Sequence, residues 1–181
     1  SLLGDLNHAV IFFVLAGVCD LFDGKFAQRF KRNEEQKQMG EWMDSFVDVV
    51  SFAAFPVILL FRMVDFVPVT ILVAFLYVVM AIHRLGYFHL TKEEQMGATG
   101  GYDSFIGLPI KYAVLIISLF YTVFVLFQTT HMLIFQLLLQ LMYILIAFAF
   151  VWDRPIPKPK GKMYLVFVLI AISVIVILGS R

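Results

Sequence analysis

Of the 181 residues, 61% are hydrophobic, 15% are charged, and the formal net charge is +1. Soluble domains are nearer ~45–50% apolar, so this composition, with a mean hydropathy of +0.91, excludes an ordinary soluble domain and predicts an all-α polytopic membrane bundle. The single cysteine, Cys19, excludes an intrachain disulfide and reads as a small buried filler. We expect membrane lipids as surroundings and no nucleic-acid partner.

Apolar runs of the length needed to cross ~30 Å of hydrocarbon fall at about residues 6–28, 41–62, 66–88, 107–128, 131–152 and 162–180. They predict about six spans in one integral-membrane domain over residues 1–181. The first run carries Asp20 and Asp23 toward water and ends in Arg29-Phe30-Lys31-Arg32 at the interface. It has no basic start and continues into acidic sequence, unlike a removable signal peptide. After a charged connector over residues 29–39, the second run opens at Gly40 and meets Pro56, where a kink is expected. The third starts near Pro68 and closes with His83-Arg84-Leu85-Gly86-Tyr87-Phe88. A polar, Gly-rich loop is expected over residues 91–104, then Phe105-Ile106-Gly107-Leu108-Pro109-Ile110-Lys111 leads into the fourth. Asp153 to Lys160, with three prolines, reads as an extended cation-rich connection.

Alternation of the spans places twelve of the 14 Lys and Arg residues on one side and only Arg62 and Arg181 on the other. That asymmetry predicts that the 29–39 connector faces the cytoplasm. Trp42 and Trp152 fall at helix ends on the same side, as interfacial anchors do.

Two pairs of carboxylates stand out. Asp20 and Asp23 are three residues apart and Asp44 and Asp48 four apart, so each pair shares a helix face. An ionised Asp near a bilayer centre costs roughly 2.5–3.5 kcal/mol on insertion scales, and four facing carboxylates would repel one another. A hard divalent cation removes the repulsion, because it takes oxygen ligands and is commonly shared with substrate phosphates. Gly24 and Gly40, lacking Cβ, allow a ligand or backbone to approach closely. The residues therefore predict a metal–phosphate site at the membrane rim. Intramembrane acids are also typical of ion or proton transporters, which stands as the alternative from another class.

The run Asp20-Leu21-Phe22-Asp23-Gly24-Lys25-Phe26-Ala27, followed by Gly40-Glu41-Trp42-Met43-Asp44-Ser45-Phe46-Val47-Asp48, resembles the signature of the CDP-alcohol phosphatidyltransferases, D-x-x-D-G-x-x-A-R with G-x-x-x-D-x-x-x-D. Gln28 stands where that pattern has Arg, with Arg29 one place later. The resemblance implies attack of an alcohol on a CDP-linked lipid with release of CMP. Asp20, Asp23, Asp44 and Asp48 would hold one or two Mg²⁺ or Mn²⁺ ions, and Asp48 would be the general base. Gly24, Lys25, Ala27, Arg29 and Gly40 would bind the nucleotide and diphosphate of CDP-diacylglycerol. A homodimer in the cell membrane with a cytoplasmic active site is expected.

Asp44-Ser45-Phe46-Val47-Asp48-Val49-Val50-Ser51-Phe52, then Arg84-Leu85, then Phe105-Ile106-Gly107-Leu108-Pro109, is similar to the phosphatidylserine synthase branch of that superfamily. Tyr87 replaces the second Arg of the branch pattern R-L-x-R-F. The acceptor implied is L-serine, with Arg84 and Lys111 for its carboxylate and Tyr87 in the pocket. The alternative within the superfamily is glycerol phosphate or inositol phosphate. The branch often has one more N-terminal helix, so a start at Ser1 fits truncation upstream.

Overall fold

A computed structural model describes residues 2–27, 29–99, 104–129, 132–157 and 162–181, without the side chains of residues 2–4, 24–25, 91–99, 104–106, 155–157 and 162–164. Within these the chain forms α1 (Leu2–Ala27), α2 (Glu34–Asp48), a π-helical segment (Val49–Ala54), α3 (Phe55–Met63), α4 (Val67–Thr99), β1 (Ser104–Ile106), α5 (Tyr112–Leu126), α6 (Leu133–Val151), β2 (Pro155–Pro157) and α7 (Lys162–Gly179). The all-α membrane bundle is borne out, with one short two-stranded ladder added. α4 packs along α6, and α1 lies against α7 and α5. Large apolar side chains such as Phe12, Leu72, Phe75 and Leu145 remain exposed, as on helices that are apolar all round because lipid surrounds them.

Among the described residues, four stretches are long and apolar enough to cross a membrane: Asp5–Asp23, Glu34–Met63, Val67–Leu90 and Leu133–Val151. Tyr112–Leu126 and Leu165–Gly179 are shorter apolar helices. The 15 residues of α5 reach about 22 Å, because residues 107–111 of the expected fourth span are not helical.

Three other expectations are corrected. The connector is half helix: α2 starts at Glu34 because Asn33 Oδ1 accepts from Gln36 N at 2.8 Å and Gln36 Oε1 accepts from Asn33 N at 3.1 Å, a reciprocal cap. The expected loop over residues 91–104 is helical to Thr99, since Lys92, Glu93, Glu94, Gln95 and Met96 are good helix formers. Cys19 is exposed: Gly17 and Asp20 take the inward positions of α1, and a residue 100° around from Asp20 faces out.

Pro56 produces a wide turn where a kink was expected. In an α-helix the Phe52 carbonyl would accept from the N–H of residue 56, but a proline has none. The chain widens into the π segment, in which Phe55 N donates to Val50 O. Two buried phenols serve the carbonyls around this turn: Tyr77 Oη donates to Phe52 O at 3.0 Å, and Tyr143 Oη donates to Pro56 O at 2.8 Å. Tyr77 and Tyr143 also pack ring to ring, with centroids 5.1 Å apart. The wide turn starts at the residue after Asp48, so α4 and α6 fix the helix that carries the acidic pair.

The segment before α5 is clamped to the end of α6. β1 pairs antiparallel with β2, Phe105 opposite Ile156. Gly107 N donates to Arg154 O at 3.1 Å, and Leu108 N donates to Ala149 O at 2.9 Å. Gly107 has φ +75°, and a Cβ there would stand 2.5 Å from Phe150 O, so only glycine fits both the backbone and the space. This clamp delivers Pro109, Ile110 and Lys111 to the acidic site.

Candidate active site

Asp20 and Asp23 come from the last two turns of α1, and Asp44 and Asp48 from the last two of α2. One carboxylate oxygen each from Asp20, Asp23 and Asp44 lies within 4.8 Å of the others. Asp48 is outside this triplet. It is buried, with 7% of its surface exposed, and it feels the charges of Asp20, Lys111 and Asp44.

The donor set fits a hard divalent ion, because it consists of carboxylate oxygens at a spacing one cation can bridge. A cation already marks the place: Lys111 Nζ lies 2.6 Å from Asp20 Oδ2. Burial alone would lower the Lys111 ammonium, but the carboxylates of Asp20, Asp48 and Asp44 outweigh it and hold the group above its ordinary value. Lys111 is the N-cap of α5, where the expected span over residues 107–128 places it inside the apolar run. Close approach of α1 to α5 helps the pair form, since a Cβ at Gly17 would be only 3.0 Å from Val114 Cγ1.

A cleft of about 200 Å³ opens beside these acids, lined by Glu41, Asp44, Ser45 and Asp48 from α2, by Arg84, Leu85, Phe88 and His89 from α4, and by Pro109, Ile110 and Lys111 before α5. Arg84 is 5% exposed, and its guanidinium carbon lies 5.8 Å from the centre of the Phe88 ring. It therefore sits in the cleft wall and not at the surface, as an interfacial snorkelling Arg would. Arg84 also borders a second cavity with His83, Tyr87, Trp152 and Asp153. Tyr87 belongs to that cavity and not to the cleft around Asp48, so the structure separates it from Lys111.

Gly24 and Lys25 lie on the α1 backbone, but their side-chain surroundings are outside the described set, as is Gln28. Ala27 is half-buried, and Arg29 is exposed in the turn that follows. A Cβ on Gly40 would stand 3.3 Å from Arg32 Nη1, so the glycine leaves room beside that guanidinium. Arg32, Glu41, Ser45 and His89 were not selected from the sequence. Arg32 reads there as one of several interfacial cations, and nothing in the sequence pairs Ser45 with a histidine 44 residues away.

Comparison with known proteins gives the same direction. The chain is 40% identical over 122 residues to an archaetidylserine synthase of Methanothermobacter thermautotrophicus, covering 67% of this chain and 49% of that protein. It is 30% identical over 116 residues to a CDP-diacylglycerol–serine O-phosphatidyltransferase of Bacillus subtilis, covering 62% of this chain and 60% of that one. A protein of the same name from Saccharomyces cerevisiae is 30% identical over 102 residues, which are 55% of this chain and 36% of the relative. The matches thus span between 36% and 60% of the relatives' own lengths. No solved structure matches the chain. The family model described as CDP-alcohol phosphatidyltransferase matches residues 2–152, a range that holds all four aspartates, Arg84 and Lys111, and the chain belongs to the CDP-alcohol phosphatidyltransferase family.

Proposed function

We propose that this chain transfers the phosphatidyl group of CDP-diacylglycerol to the hydroxyl of L-serine and releases CMP. The observation that carries the reading is the cleft in which buried Asp48 and Arg84 meet beside the Asp20, Asp23 and Asp44 cluster. The names of the relatives, each of which contains serine, support that acceptor. Glycerol phosphate or inositol phosphate would call for a denser set of cations. Among the described residues lining the cleft, the Lys and Arg residues are Arg84 and Lys111, and Lys111 is engaged by Asp20.

Asp48 takes the proton of the serine hydroxyl as the hydroxyl oxygen bonds to the phosphorus that carries the lipid. The bond from that phosphorus to the bridging oxygen breaks, and CMP leaves with the electron pair. A divalent cation, Mg²⁺ or Mn²⁺ as one or two ions held by Asp20, Asp23 and Asp44 with Asp48 beside them, neutralises the diphosphate and polarises the phosphorus when bound. Arg84 pairs with the serine carboxylate, for which its planar fork is suited. Gly40 leaves space for the nucleotide, and Gly24, Lys25, Ala27, Arg29 and Arg32 form its surroundings and meet its phosphates. Lys111 keeps the Asp20 carboxylate in place before substrate arrives.

The positive-inside asymmetry supports a cytoplasmic site, and cross-linking of the chain in native membranes tests the expected homodimer. The deciding experiment supplies purified protein with CDP-diacylglycerol, a divalent salt and a panel of labelled alcohols. Lipid product from serine with stoichiometric CMP supports the reading. Product only from glycerol phosphate or inositol phosphate overturns the acceptor, and cation transport without CMP release would favour the transporter alternative.

A further inference from the structure

A polar contact in the cleft wall is left unused by this mechanism. Ser45 Oγ lies 2.9 Å from Glu41 O and 2.5 Å from His89 Nε2. A carbonyl has no proton to give, so the one hydroxyl proton goes to Glu41 O. The bond to His89 then has to run the other way, with Nε2–H donating to Ser45 Oγ. In the neutral ring, Nδ1 is left as a lone-pair acceptor.

The ring is also held in place. His89 stacks on Trp42 with centroids 6.0 Å apart and planes 12° from parallel, and Phe88 meets it edge-on at 6.0 Å and 70°. It lines the cleft together with Arg84 and Asp48. The cleft thus presents a guanidinium suited to a carboxylate and a fixed imidazole with a spare acceptor.

We infer that His89 is a specificity-determining residue that accepts a hydrogen bond from the acceptor's ammonium group, so that the cleft selects an amino-acid alcohol over alcohols lacking the amine. The inference rests on the serine reading above and extends it to the group that reads the amine. Ser45 is a positioning residue that sets the His89 tautomer.

The test measures CMP release by the full chain in lipid micelles with CDP-diacylglycerol and Mg²⁺, using L-serine and 3-hydroxypropionate, which keeps the hydroxyl and carboxylate but has no ammonium. His89→Phe preserves a ring against Trp42 and removes both nitrogens. It should raise the serine KM and shrink the serine to 3-hydroxypropionate ratio of kcat/KM roughly 10- to 150-fold, the range for one hydrogen bond to a charged group. The KM for CDP-diacylglycerol should stay within about twofold, since that lipid is bound elsewhere. His89→Asn, which keeps an N–H donor toward Ser45 and a carbonyl acceptor, should keep most of the selectivity. An unchanged ratio in His89→Phe overturns the inference while leaving serine as substrate, and so does collapse of the ratio in Glu41→Gln but not in His89→Phe. Failure of the parent protein to use serine at all overturns the serine assignment and this inference with it.

Discussion

Tyr77→Phe removes one oxygen from the core and leaves the ring packing untouched, so its effect isolates the bond to Phe52 O. That bond is 3.0 Å long and buried, and Pro56 has no N–H to take its place. Leaving a buried carbonyl without a donor costs about 1–3 kcal/mol. The wide turn starts immediately after Asp48, so part of that energy should appear as misplacement of Asp48 and the rest as lost stability. Each 1.4 kcal/mol is tenfold, so even the upper figure of about 3 kcal/mol, appearing wholly in the rate, caps the loss of CMP release at roughly 150-fold. Pro56→Ala restores an N–H four residues beyond Phe52. In that background Tyr77→Phe should cost less than half as much. The assay is a double-mutant cycle on single-turnover CMP release, with thermal unfolding in detergent measured for the same four proteins. Additive effects, or a Tyr77→Phe protein indistinguishable from its parent, would refute the argument that this hydroxyl holds the turn.

Asp48→Asn should lower turnover by about 10²–10⁴-fold, as removal of a general base does, while CDP-diacylglycerol binding persists; parallel loss of binding would make Asp48 chiefly a ligand. Gly107→Ala should be destabilising, at about 1–2 kcal/mol from the left-handed backbone alone and more from the 2.5 Å approach to Phe150 O, read as a lower unfolding temperature. Lys111→Gln removes the partner of Asp20, so unfolding with a chelator present should occur at lower temperature than in the parent, and saturating Mg²⁺ should narrow the gap. A gap that Mg²⁺ does not change would show that ion and ammonium do not share that place.

The acidic motif and the bundle were legible because they are written in local spacing. Three- and four-residue intervals put Asp20 with Asp23 and Asp44 with Asp48 on shared faces, and runs of apolar residues mark membrane helices whatever their partners. Boundaries were less legible where local chemistry opposed the hydropathy. Residues 107–111 are apolar enough to extend the fourth span, but they are committed to the clamp on α6 through Gly107 and Leu108. Glu34 to Met39 read as connector until Asn33 and Gln36 are recognised as a reciprocal cap. Pro56 announced an irregularity, but its form depends on Tyr77 and Tyr143 from distant helices. His89 was invisible for the same reason: its meaning comes from Ser45 and Trp42, which only the packing of α2 against α4 brings to it.

Whether a divalent ion joins carboxylates from α1 and α2 to a diphosphate can be read from anomalous scattering of crystals grown with Mn²⁺ and CDP-diacylglycerol. A Mn²⁺ peak coordinated by Asp20, Asp23 and Asp44 and in contact with the diphosphate, with Asp48 lining the adjoining cleft, is the expected result. A bound nucleotide with no metal peak, and Asp20 still paired only with Lys111, would contradict it.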